Sequence, residues 1–188
     1  MERSIKVAVI GAGTAGLVTD RELKREGYQV ILFEKNNRIG GTWVYDPRVE
    51  SDPLGMDPGH EIVRSSMYHS LRVNLPRQLM GFLDYPFVKK ESGDPRDFPG
   101  REEVLRFLDD FASDFGLVEL TRFEHDVVRV EQVDGRRNEW IVEWRTRVGQ
   151  LDLEVFEAVV ICNVKHTEPK IATFPGNIYL FHAKILYV

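Results

Sequence analysis

The alternation of apolar and polar residues changes character along this chain, and each change predicts an element. Ile5 to Ile10 is a β-branched, mostly apolar run that stops at a glycine cluster, the pattern of a buried parallel strand. From Thr14 to Glu26 good helix formers dominate, and Gly27 supplies a C-terminal stop. Gln29 to Phe33 is a second short apolar strand, ending at Glu34. Strand, glycine turn, helix and strand together predict a βαβ opening. Residues 36–100 are rich in Pro, Gly and Asp, have little periodicity, and predict loops with short helices. A helix is predicted over Arg101 to Phe115, where Val104, Leu108, Phe111 and Phe115 recur at spacings of four, three and four. Leu105 and Ala112 widen that stripe, and Gly116 ends it.

Beyond Thr121 the period falls to two. Val128 and Val130, then Trp140, Val142 and Trp144, then Leu151, Leu153 and Val155 alternate with polar residues. Asp134-Gly135 and Gly149 mark the turns, so an antiparallel meander is predicted. Ala158 to Cys162, apolar on both faces, suits a buried strand that returns to the parallel sheet. The fold class is therefore α/β, with a three-layer Rossmann-like core.

Composition narrows the functional classes. The chain has 188 residues, 43% of them hydrophobic, and its 25 basic against 30 acidic residues give a net charge of −5. That balance argues against a nucleic-acid partner, which calls for a basic stripe. The single cysteine, Cys162, excludes an intrachain disulfide and fits a reducing, cytoplasmic setting. The longest unbroken apolar run, Ala158 to Cys162, is far short of the ~18 residues of a membrane span.

The chemistry concentrates in Gly11-Ala12-Gly13-Thr14-Ala15-Gly16. Alone, the GxGxxG spacing is weak. Here it follows a predicted strand and opens a predicted helix, and Glu34 lies 34 − 13 = 21 residues past Gly13, at the end of the next strand. Gly11 allows the tight turn, Gly13 has no Cβ to obstruct a diphosphate, and Gly16 lets helix and strand approach. The helix N-terminus offers unpaired N–H groups and positive dipole charge to the diphosphate, and Glu34 can accept hydrogen bonds from adenosine ribose hydroxyls. This motif does not separate FAD from NAD. Arg38-Ile39-Gly40-Gly41-Thr42-Trp43, directly after the second strand, favours FAD, because paired glycines there bring backbone amides close to a longer cofactor. The meander points the same way.

These segments, with Met67-Tyr68-His69-Ser70-Leu71-Arg72-Val73-Asn74-Leu75-Pro76 and Met80-Gly81-Phe82-Leu83-Asp84-Tyr85-Pro86-Phe87, resemble the flavin-containing monooxygenases. The insert Glu50-Ser51-Asp52-Pro53-Leu54 is similar to the plant branch that S-oxygenates glucosinolate side chains. The resemblance implies FAD held by Gly11, Ala12, Gly13, Thr14, Ala15, Gly16 and Glu34, with further contacts from Gly41, Thr42 and Trp43. It implies a catalytic role for Asn74 beside the flavin ring. It also implies NADPH as reductant, dioxygen as co-substrate, and oxygenation of a thioether, such as a methylthioalkyl glucosinolate, through a C4a-hydroperoxyflavin.

Three departures from the family qualify that picture. Asp20 stands four residues after Gly16, where the extended fingerprint has Ala or Gly; either a carboxylate is buried against the sheet, or the helix turns it to water. In Cys162-Asn163-Val164-Lys165-His166-Thr167-Glu168-Pro169, Val164 and Lys165 replace a family glycine and histidine. The tail from Asn177 to Val188 does not follow the family, and after Gly41 no two glycines are separated by one residue. An FAD-binding domain over residues 1–172, truncated before the NADPH domain, and a divergent apolar tail over 173–188 are therefore expected. The alternative to an enzyme is a catalytically inactive FAD-binding fragment. The five histidines show no zinc spacing, so no metal site is expected. Trp140 with Trp144 reads as core, and Arg136-Arg137 as a solvated hairpin tip.

Overall fold

The structure, a computed structural model, describes residues 4–51, 67–133, 135 and 138–163. The predicted opening is present as β1 (Lys6–Ile10), α1 (Thr14–Arg25) and β2 (Gln29–Phe33). The excursion that follows holds short 3-10 turns at Gly41–Trp43 and Pro47–Glu50 and one helical turn, α2 (Arg77–Met80). Then come α3 (Arg101–Asp114), a two-residue β3 (Thr121–Arg122), the meander β4 (His125–Gln132), β5 (Trp140–Thr146) and β6 (Leu151–Phe156), and finally β7 (Ala158–Ile161).

Two sheets result. The strand order β3-β2-β1-β7 is parallel throughout, and β4-β5-β6 is antiparallel. The continuous apolarity of β1 and β2 has a direct cause, since both faces of the parallel sheet are covered. Val9, Val30 and Leu32 point into a cluster with Leu17 of α1 and Val104, Leu108 and Phe111 of α3. Ala8 and Phe33 point the other way, onto Val142, Trp144 and Phe156 of the meander. Helices, parallel sheet and meander are the three expected layers. The side chain of Lys24 on α1 donates to the Phe115 carbonyl at 2.8 Å, satisfying an open acceptor at the C-terminus of α3.

Two readings change. Strand β3 was not expected, because two residues are too few to show a period; it forms by pairing Thr121 and Arg122 with Leu32 and Phe33. The expected fully buried strand at Ala158 to Cys162 is instead half-buried, with Ile161 61% exposed, because among the described residues β7 pairs only with β1. The Arg136-Arg137 tip, most of the Glu50 to Leu54 insert, the Val164 and Lys165 replacements and the 173–188 tail lie outside the described residues. Among those described, no helix is long and apolar enough to cross a membrane.

Candidate dinucleotide site

The site is built at the carboxyl ends of β1, β2 and β7. Gly11 adopts φ +101°, and its N–H donates to the Phe33 carbonyl at 2.8 Å. A Cβ at Gly11 would meet the Cys162 carbonyl oxygen at 3.0 Å, and one at Gly16 would fall 1.8 Å from the Gly11 oxygen. The second distance excludes every side chain, so the glycine at 16 is what allows α1 to sit this close to the end of β1. Helix α1 then begins at Gly13 with no side-chain cap and no acidic residue in its first turn. Thr14 and Ala15 are exposed there. The positive end of the helix therefore faces outward with no protein anion in its first turn.

The second glycine pair closes against the first. Gly40 donates its N–H to the Ala12 carbonyl at 2.9 Å. Gly40 and Gly41 have φ of +120° and +55°. A Cβ on Gly41 would lie 2.8 Å from Gly13 Cα, so the two turns touch backbone to backbone. A Cβ on Gly40 would meet Leu105 Cδ1 at 2.4 Å, which is why α3 can press on the same turn. Thr42 is half-buried, and Trp43 packs against the main core cluster.

Glu34 follows β2 and is 4% exposed. Its Oε2 accepts the Ala12 N–H at 2.9 Å, and its Oε1 accepts both the N–H and the side-chain amide of Asn36 at 2.9 Å. Three of about four acceptor positions on the carboxylate are thus filled, and the one that is left suits a single hydroxyl. Asn36 is the participant that motif reading missed, because no spacing signals an asparagine that orients a carboxylate; Gly40 stood in the expected glycine pair, and the structure adds its bond to Ala12.

Asn74 lies apart from these turns. It is exposed in a bend on another segment, and among the described residues no hydrogen bond joins it to them. The link is indirect, through its neighbour Val73, which is buried in the same cluster as Ala12 and Ile39.

For Asp20 the structure selects the costly alternative. The residue is 0% exposed, and neither carboxylate oxygen has a hydrogen-bond partner. Burial raises its pKa to about 6, with Lys24 opposing the rise.

A parallel sheet whose first strand runs through a glycine turn into an uncapped helix, with a carboxylate after the second strand, defines a dinucleotide-binding α/β protein. The model of the flavin-binding monooxygenase-like family matches residues 4–188, and the chain belongs to that family. FAD and NADPH are the family's cofactors. Flavin-containing monooxygenase FMO GS-OX2 of Arabidopsis thaliana is 52% identical over 173 residues, which cover 90% of this chain and 37% of the relative. S-allyl-L-cysteine S-oxygenase from Allium sativum superposes with a TM-score of 0.85 at 51% identity, over 93% of this chain and 39% of that one. Tmm from a Pelagibacter species gives a TM-score of 0.75 at 26% identity, over 92% of this chain and 39% of that one. The chain thus spans less than two fifths of the length of these relatives.

Proposed function

We propose that this chain forms the FAD seat of a monooxygenase that oxygenates the sulfur of small thioethers, with NADPH as reductant and dioxygen as co-substrate. One observation carries the reading. The contact between the Gly13 and Gly41 turns leaves a seam without side chains at the positive, uncapped end of α1. A diphosphate fits that end, since its charge replaces the anion the protein does not provide there. The N–H groups at Gly13, Thr14 and Ala15 would hold the diphosphate. Glu34, already oriented by Ala12 and Asn36, would accept one ribose hydroxyl. Gly41, Thr42 and Trp43 would extend the seat toward the flavin end, and Asn74 would face the ring. Bound FAD supplies the redox chemistry that activates dioxygen and delivers one of its atoms to a soft nucleophile. The substrate class is supported by similarity to an S-allyl-L-cysteine S-oxygenase, and a methylthioalkyl glucosinolate is the finer candidate.

The test is to purify the chain with added FAD, record its visible spectrum, then add NADPH and a methyl thioether in air. A resolved protein-bound flavin spectrum is expected; a sulfoxide product would assign the oxygenase activity to these residues alone. A chain that retains no flavin would overturn the assignment of the seat. Retained flavin without sulfoxide would support the inactive FAD-binding alternative.

A further inference from the structure

We propose that Arg77 is a positioning residue for Asn74, shaping the bend that presents the asparagine; the proposal rests on the reading above, in which Asn74 faces the bound flavin. Residues 71–77 form an arc strung on residues 97–101 by main-chain hydrogen bonds. Arg101 donates to the Leu71 carbonyl at 3.2 Å, Val73 to that of Pro99 at 3.1 Å, and Arg77 to that of Asp97 at 2.8 Å. Asn74 sits exposed between the last two of these ties. Its position therefore depends on the shape of the 88–100 loop, which contains no helix or strand to stiffen it.

The buried anchor of that shape is Arg77, with Glu103 and Asp94 completing it. Arg77 is 1% exposed, and its guanidinium donates to the carbonyls of Arg96 at 3.1 and 2.8 Å, Asp94 at 2.6 Å and Val88 at 3.4 Å. It lies 4.9 Å from the Phe87 ring centroid and 3.7 Å from Glu103. Glu103 in turn accepts the Asp94 N–H at 3.0 Å, and Asp94 accepts that of Gly100 at 3.0 Å. The arc thus ends in the residue that clamps the loop on which the arc is hung. Loop carbonyls approaching from three residues call for a rigid planar fork, and a lysine ammonium on a flexible stem cannot replace it. This distinguishes a positioning role from simple filling of space, which Arg77→Met or Arg77→Lys would satisfy against Phe87.

The experiment uses the FAD-loaded chain and reads the midpoint potential of the bound flavin by dye equilibration, for the parent, Asn74→Ala, Arg77→Lys and the double variant. Asn74→Ala is expected to shift the potential, Arg77→Lys to shift it the same way, and the double variant to add little to Asn74→Ala. If Asn74→Ala moves the potential while Arg77→Lys leaves it at the parent value, the positioning role is wrong and the flavin reading stands. If Asn74→Ala moves nothing, the placement of Asn74 at the flavin fails and the proposal falls with it. Should Arg77→Lys not fold, Asp94→Asn loosens the same loop from its more exposed side and is held to the same outcomes. Amide exchange across residues 71–77 of the FAD-free chain should accelerate about tenfold in either variant, with β1 and α1 unchanged. Unaltered exchange there would sink the proposal independently of any cofactor.

Discussion

Asp20 faces the interior with two unpaired carboxylate oxygens, an arrangement a protein interior normally avoids. Its folded-state pKa is raised from 3.8 to about 6, which corresponds to about 3 kcal/mol of destabilisation at neutral pH. The sign follows from proton uptake, because the native state binds this proton more tightly than the unfolded chain does. The penalty is therefore full above about pH 6 and absent below 3.8. Asp20→Ala should raise stability by about 2–3 kcal/mol at pH 7, and the gain should shrink as the pH falls toward 4. Urea denaturation of both proteins at pH 7 and pH 4.5 reads this directly; equal gains at the two values would contradict a buried, titrating carboxylate. Glu34 shows the opposite design, a buried carboxylate with its acceptors nearly filled. Glu34→Ala should loosen FAD by about 1–3 kcal/mol, since an acceptor for the ribose and the partner of the Ala12 N–H are lost together. Flavin fluorescence titration measures it, and unchanged affinity would remove Glu34 from the seat.

At the scale of elements, the site is a junction of two turns and two helices. Gly41 combines φ +55° with a Cβ position 2.8 Å from Gly13 Cα. Gly41→Ala must therefore strain a left-handed residue and push two backbones apart, at a combined cost of about 2–4 kcal/mol. Because the displaced partner is the first turn of α1, FAD affinity should fall more than thermal stability does. Calorimetric melts beside flavin titrations separate the two effects, and a melt shift with intact affinity would place the seam outside the site. Helix α3 acts at one remove, since Leu105 occupies the space beside Gly40. The predicted apolar stripe on α3 accounts for its packing, but no period reveals that the same face supports a ligand turn.

Across the whole molecule, the meander covers the sheet face opposite the helices. Phe33 packs between Trp144 and Phe156, with ring centroids 5.1 and 5.9 Å away. Glu154 on β6 bonds both Lys6 on β1 and Arg122 on β3, pinning the two sheets at their rim. Trp144 is 4% exposed, so Trp144→Ala should cost about 3–5 kcal/mol and unfold the parallel sheet with the meander in one transition. A two-step melt, with the sheet surviving the meander, would show the layers to be independent.

What could be read from the residues in order was local. The turn at Gly11 to Gly16, the stripe of α3 and the alternation in β5 follow from backbone freedom and one-sided burial, which act over a few neighbouring positions; in β6 the alternating Leu151, Leu153 and Val155 marked a strand but lie on its exposed face. Glu34 was legible as well, because the length of one βαβ unit sets its distance from the turn. The contact of Gly13 with Gly41, the stranding of Asp20, the pairing of β3 and the clamp at Arg77 were settled only in three dimensions. In each, the energy of a group depends on what arrives from distant segments. A carboxylate on a helix is harmless or costly according to whether a sheet removes its water, and a guanidinium shapes a loop only where that loop's carbonyls converge on it.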